Sequence, residues 1–101
     1  MIEVRLQVNE HGQGAFYAMD GGKQIGEMVI GIRNSFLTVY HTEVSDEAEG
    51  KGVAKQLLNV MVEHARQNNL KVIPLCPYVH LQFRKHPNEY ADVWEREEVA
   101  E

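Results

Sequence analysis

From its second residue the chain alternates, with Ile2, Val4, Leu6 and Val8 set against Glu3, Arg5, Gln7 and Asn9. A period of two lines one face of an extended chain with apolar side chains, so residues 2–9 are predicted to form a half-buried strand. The segment 11-HGQG-14 is expected to turn, and 15-AFYAM-19 to form a second short strand. Next, 20-DGG-22 supplies residues that tolerate positive φ, a strong local hairpin signal. A third strand is predicted at about residues 24–32. Arg33, Asn34 and Ser35 then turn the chain into a fourth, at about 36–44. Four successive strands joined by short turns make an antiparallel meander.

After residue 52 the period changes. Val53, Ala54, Leu57, Leu58, Met61, Val62 and Ala65 recur at steps of one, three and four, which is the apolar stripe of a helix. Lys51, Lys55, Gln56, Asn59, Glu63, Arg66 and Gln67 cover its other side. Asn68 and Asn69 are expected to end it, because asparagine tolerates the left-handed C-terminal conformation. The run 71-KVIPL-75 is expected to be a fifth strand, stopped by Cys76-Pro77. Residues 78–86 are expected to form a short helix ended by Pro87. The pattern commits the remaining residues to nothing. The order β-β-β-β-α-β-α implies an α/β (α+β) sheet with one major helix packed on it. It shows no repeat, linker or second domain, so residues 1–101 are expected to form one domain with an acidic tail at about 95–101.

Composition narrows the partners. The chain of 101 residues carries a formal charge of −5. Nucleic acid is not an expected partner, since its affinity comes largely from Lys and Arg on phosphates. The tail 95-EREEVAE-101, with four Glu and one Arg, contributes −3 of the net −5 and is expected to be a solvated terminus. No apolar run approaches the roughly 20 residues that span a bilayer, so no membrane partner is expected. The opening 1-MIEVRLQVNE-10 lacks the plan of a signal or transit peptide. A lone cysteine, Cys76, leaves no intramolecular disulfide and suits a reducing compartment, so a cytoplasmic location is expected.

The candidate chemistry lies where strand gives way to helix, in 43-EVSDEAEGKGVAK-55. A helix N-terminus presents unpaired backbone N–H groups and a partial positive charge, and glycines there let a phosphate approach the backbone. The spacing is not that of a nucleotide P-loop, nor of a dinucleotide fingerprint. By itself, Gly50-Lys51-Gly52 fits a tight connection as well as a phosphate cradle. Its context adds information: the turn follows the fourth strand of a meander, precedes the main helix, and is followed by another strand.

This order, together with Glu49-Gly50-Lys51-Gly52-Val53-Ala54, resembles the GNAT superfamily of acyl-CoA-dependent N-acetyltransferases, whose motif there is Q/R-x-x-G-x-G/A. Gly52 and Ala54 match its last two fixed positions, and Glu49 departs from the usual Gln or Arg. More narrowly, 41-HTEV-44, 50-GKG-52 and 74-PLCPY-78 resemble a very small, single-domain GNAT-like group. The resemblance spans about residues 2–87. It implies acetyl-CoA as co-substrate, held in a cleft where the fourth and fifth strands splay apart. The amides of Glu49, Gly50, Lys51, Gly52, Val53 and Ala54 would hold the pyrophosphate. The backbone from Thr42 to Val44 would pair with the pantetheine arm, and Lys51 or Lys55 would meet the outer phosphate. Asp46 and Glu47 are expected to face solvent or to bias the helix N-terminus.

For activity the resemblance implies N-acetyl transfer to an amine. That reaction needs a base for the ammonium, donors for the thioester oxygen and an acid for the leaving thiolate. Running the superfamily's helix pattern along 77-PYVHLQFRKH-86 puts Phe83 where its acidic tyrosine would fall, which leaves Tyr78 or Tyr90 as substitutes. Cys76, at the end of the fifth strand, is expected beside the thioester, as nucleophile, as CoA neighbour or as an inert buried thiol. His41 and Glu43 share one face of the fourth strand and are candidates for the base, His41 also for a structural role. His11, His64 and His86 are expected at the surface. No metal site is expected, because Cys76 and His80 have neither a second cysteine nor a carboxylate at ligand spacing. A Cys76–His80 or Cys76–His41 nucleophilic pair stays open, as does a monomer or a homodimer joined at a sheet edge. A non-catalytic acyl-CoA sensor or protein-interaction module is the alternative to an enzyme.

Overall fold

The computed structural model describes residues 1–96, so positions 97–101 of the expected acidic tail lie outside the described residues. Four antiparallel strands follow in chain order: β1 (Ile2–Val8), β2 (Gln13–Asp20), β3 (Lys23–Arg33) and β4 (Phe36–Val44). A single 3₁₀ turn, Asp46–Ala48, leads into α1 (Val53–Gln67), and β5 (Lys71–Pro74) returns parallel to β4. Helix α2 (Pro77–Lys85) closes the regular structure. The five strands form one sheet in the order β1-β2-β3-β4-β5, the mixed α/β arrangement expected from the sequence.

Local chemistry accounts for the connections. The Gly21-Gly22 loop sets Asp20 opposite Lys23, and Asn34, at φ 57°, helps turn β3 into β4 with Arg33 opposite Phe36. At the end of α1, Asn69 takes the left-handed conformation while the Asn68 N–H still donates to His64. A parallel β4–β5 pair cannot be joined by a tight turn, and α1 is the crossover that joins it.

Helix α1 buries Val53, Leu57, Leu58, Met61, Val62 and Ala65 in a core shared with Phe16, Met28, Ile30, Leu37 and Val39. Some positions differ from the pattern. Ala54 is only half-buried, and Val8, at the end of the edge strand β1, is 43% exposed. His64 is half-buried rather than at the surface, its ring set edge-on to Phe16 at 5.8 Å. Strand β5 stops at Pro74, leaving Leu75 outside it, and α2 takes Pro77 as its first residue. Proline suits that position, where its missing N–H costs no hydrogen bond.

The stretch after Pro87, which the period left open, is packed by contacts that no period reports. Tyr90, Val93 and Trp94 are buried, with Tyr90 stacked on Phe83 at 4.7 Å. The Val72 N–H donates to the Val93 carbonyl and the Glu95 N–H to the Val72 carbonyl, covering the outer edge of β5. Arg66 of α1 holds the segment through Asp92 at 2.8 Å and through the Glu89 carbonyl. The first two residues of the expected tail are therefore tied to the body, since Arg96 also lies over the Trp94 ring at 4.2 Å.

Candidate functional site

β4 is nine residues long and β5 only four, so their pairing covers Phe36–Val39 against Lys71–Pro74 and no further. A final link, from the Cys76 N–H to the Val39 carbonyl at 2.9 Å, marks where the strands part. Pro74 has no N–H to continue the ladder. At the same place β4 bulges against β3: Val29 lies opposite His41 and Ile30 opposite Val39, which leaves Tyr40 without a partner. A bulge bends its strand and shifts the alternation of side chains by one. Beyond it Thr42 and Val44 are half-buried, while His41 and Glu43 are exposed on the other face.

The opened edge of β4 runs toward the first turn of α1. Val44, Glu49, Gly50, Gly52, Val53, Ala54 and Lys55 line one cleft of about 300 Å³, and Tyr78 lines it from the first turn of α2. Gly52 caps α1 at φ 75° and Gly50 stands at φ 85°, a region that suits glycine. A Cβ added at either would meet nothing within 4 Å, so the space above the turn is open. No side chain caps the helix, and the first intrahelical bond is from the Gln56 N–H to the Gly52 carbonyl. Among the described residues, the N–H groups of Gly52, Val53, Ala54 and Lys55 therefore have no partner. Four unpaired donors at the positive end of a helix dipole are the arrangement that favours an anion. Of the two candidate lysines only Lys55 lines the cleft. Lys51 bonds back through its N–H to Ala48 and helps to stabilise the Glu47 carboxylate.

The acids before the turn do not close this site. Glu47 pairs with Lys23 from the β2–β3 hairpin, and that hydrogen-bonded ammonium holds the Glu47 carboxyl below the usual carboxylate range. Asp46 and Glu49 are exposed.

The candidate catalytic residues separate into two groups. Cys76 is 2% exposed, and its Sγ shares a hydrogen bond with Thr42 Oγ1 at 3.3 Å across the point where β4 and β5 part. Half-buried Tyr78 stands nearby. Burial pushes its ionisation above the ordinary tyrosine range, with Tyr90 and Cys76 adding to the shift, so its hydroxyl keeps its proton at neutral pH. His41 and Glu43 belong to the second group. Neighbouring strand residues point to opposite faces, so with Thr42 turned to Cys76, His41 points away from it. The imidazole instead lies 3.7 Å from Glu43. The Cys76–His41 pair is thus not formed, because the bulge puts its members on opposite faces. His80 does not complete a pair either, as its ring packs edge-on against Trp94 at 6.1 Å. The usual tyrosine position holds Phe83, fully buried under Tyr90.

The model of the family described as GCN5-related N-acetyl-transferase matches residues 15–93, from β2 to the packed segment after α2. The chain belongs to the GCN5-related N-acetyltransferase family. Among solved structures, a GCN5-like protein from Staphylococcus aureus is 36% identical, with 91% of this chain and 86% of that one covered and a TM-score of 0.68. A ribosomal-protein-alanine N-acetyltransferase from Brucella melitensis biovar Abortus 2308 matches at 22% identity over 66% of this chain, with a TM-score of 0.61. The alignment covers 49% of that Brucella chain, and at this identity the likeness speaks for the fold alone. An aminoglycoside acetyltransferase from an uncultured soil metagenomic sample shares the fold at 13% identity, over 81% of this chain and 59% of its own, with a TM-score of 0.62. No curated protein matches the chain.

GCN5-related N-acetyltransferases generally use acetyl-CoA and an amine acceptor. The geometry adds three residues that the sequence did not single out. Tyr40 is the bulged residue at the split, Lys23 neutralises Glu47, and Glu27 joins His41 and Glu43 on the open face of the sheet. Only the last two had a signal, in the charge of their side chains, and it named no partner. Among the described residues, no helix is long and apolar enough to cross a membrane.

Proposed function

We propose that the chain binds acetyl-CoA along the split between β4 and β5 and transfers the acetyl group to an amine. The observation that carries this reading is the junction of two unpaired backbone stretches. The edge of β4 from Tyr40 to Val44, free of β5, leads into the four unpartnered N–H groups of Gly52 to Lys55. An extended pantetheine arm suits the first stretch and a pyrophosphate the second. The open space above Gly50 and Gly52 leaves room for such a group to approach the backbone.

In this reading Lys55 meets the outer phosphate, and the thioester lies where Val39 and Cys76 make the last link between the strands. The face toward the helices serves the leaving group, where protonated Tyr78 donates to the departing sulfur and Thr42 fixes the Cys76 thiol. The open face serves the acceptor, where His41, with Glu43 beside it, takes the proton of the incoming ammonium. A second reading, acyl-CoA binding without turnover, is favoured by one observation: Cys76 is buried and engaged by Thr42 rather than presented as a free nucleophile.

Titration with acetyl-CoA, followed by amide NMR and thermal shift, tests binding. Perturbation centred on Gly50 to Lys55 and Thr42 to Val44 is expected, and its absence at saturation rejects both readings. Acetyl transfer to a panel of amines, lost in His41→Ala, then decides for the enzyme. Binding without transfer to any amine decides for the second reading.

A further inference from the structure

On the open face of the sheet Glu27, His41 and Glu43 offer one imidazole nitrogen and two carboxylate oxygens that all lie within 4.8 Å of one another. They come from two strands, with Glu27 directly opposite Glu43 in the β3–β4 register. His41 and Glu43 reach this face because the bulge at Tyr40 shifts the alternation of β4. Like charges directly opposite one another on adjacent strands destabilise a sheet unless something compensates them. Among the described residues neither carboxylate pairs with a lysine or an arginine. Glu27 accepts a hydrogen bond from the Gln24 side-chain amide, and Glu43 has only His41, at 3.7 Å. Apart from His41 the paired acids are therefore uncompensated, and its imidazole offers a nitrogen donor well suited to a metal.

From this juxtaposition we propose that Glu27, His41 and Glu43 bind a divalent transition-metal cation, with zinc as the best match. The donor set is mixed: imidazole suits zinc, copper, iron and nickel, and the carboxylates supply the charge. In a tetrahedral zinc site neighbouring ligand atoms stand roughly 3.3 Å apart, as follows from metal–ligand distances near 2 Å. The 3.7 Å between His41 and Glu43 is close to that spacing, and exposed side chains reach it by rotation alone. Three protein ligands leave a fourth position to water. The exposure of His41 and Glu43, at 50% and 68%, makes this a modest, exchangeable site rather than a structural one that folding depends on. A bound cation also occupies the imidazole lone pair, so His41 cannot act as a base while the metal is held.

The experiment is a titration of the whole chain with zinc chloride, read by calorimetry and by imidazole and amide NMR, without acetyl-CoA. The proposal rests on binding alone, so it stands or falls independently of any acetyl transfer. One site is expected, with shifts centred on His41, Glu43, Glu27 and Val29. His41→Ala and Glu43→Gln are each expected to weaken binding by about tenfold or more, and Glu27→Gln to weaken it clearly. His11→Ala, which alters an exposed histidine beside Glu10 on the β1–β2 turn, is expected to change nothing. Unperturbed amide spectra of the apo variants establish that each is folded. No binding at millimolar zinc, shifts centred on Cys76 or another histidine, or equal affinity in His41→Ala would each overturn the assignment.

Discussion

β4 behaves as two strands joined at Tyr40. From Phe36 to Val39 it is paired on both sides, and Leu37 and Val39 are fully buried. From Tyr40 to Val44 it keeps β3 on one edge but has lost β5 on the other, and its side chains are half-buried or exposed. The first half is held by packing, with Leu37 and Val39 enclosed in the core. The second half is held by the β3 ladder, by Thr42 on Cys76 and by Val44 against the core, and its other backbone edge is left without a strand. The contrast gives one strand a core half and an open-edged half, and the proposed acetyl-CoA site uses the second. What separates the two halves is a bulge on one side and a proline-ended partner on the other.

Substitutions should affect the two halves differently. The largest effect on stability is expected in the closed half, where Leu37→Ala should cost about 2–5 kcal/mol by leaving a cavity. Urea denaturation measures this, and acetyl-CoA affinity per folded molecule should stay unchanged. A loss below 1 kcal/mol, on the order of a surface change, would mean that this half is not the packed one. Gly52→Val should do the reverse. A β-branched residue at φ 75° is strained by roughly 1–2 kcal/mol, and its side chain fills the space above the four amides. Acetyl-CoA affinity should fall about tenfold or more, a larger change than the loss of stability implies. Unchanged affinity by calorimetry would remove the turn from the site.

Tyr78 gives a smaller, pH-dependent effect. Its folded ionisation is raised by burial, so the stability linked to it is complete below the ordinary tyrosine value of about 10 and is lost as pH rises through the folded value. Tyr78→Phe should therefore soften the alkaline loss of stability, and should remove a late step from the tyrosinate absorbance titration. An unchanged titration curve would show that the hydroxyl is not desolvated. The smallest effect is expected at the exposed Lys23–Glu47 pair. The folded ionisation of Glu47 is depressed, so its contribution is present above the ordinary glutamate range and fades as pH falls through the folded value. Lys23→Ala should lower the melting temperature slightly at neutral pH and less in acid or high salt. A shift as large in high salt as in low salt would mean that Lys23 acts by something other than charge.

Much of this fold was legible in the residues. The alternation of β1, the Asp20-Gly21-Gly22 turn and the stripe of α1 each report a local period or a local backbone need, so their elements fell close to the predicted bounds. The bulge had a trace as well. In 36-FLTVYHTEV-44 the apolar residues Leu37 and Val39 fall on odd positions and Val44 on an even one. Unbroken alternation would have carried His41 and Glu43 to the core face, which their charge and polarity oppose. The segment after Pro87 left no such trace. Tyr90 is placed by Phe83, Val93 by Val72, and the neighbouring Glu89 and Asp92 by Arg66, the last two contacts joining parts of the chain far apart in sequence.

The sequence by itself determined the elements, their order, and the candidate phosphate turn at Gly50-Lys51-Gly52, because these depend on spacings of a few residues. Only the tertiary structure decided which side chains meet. It joined Cys76 to Thr42, turned His41 away from both, brought Glu27 to His41 and Glu43, and paired Glu47 with Lys23. Those contacts depend on strand register and on a one-residue bulge. A shift of one residue moves a side chain to the opposite face of the sheet while leaving the composition and most of the pattern as they were.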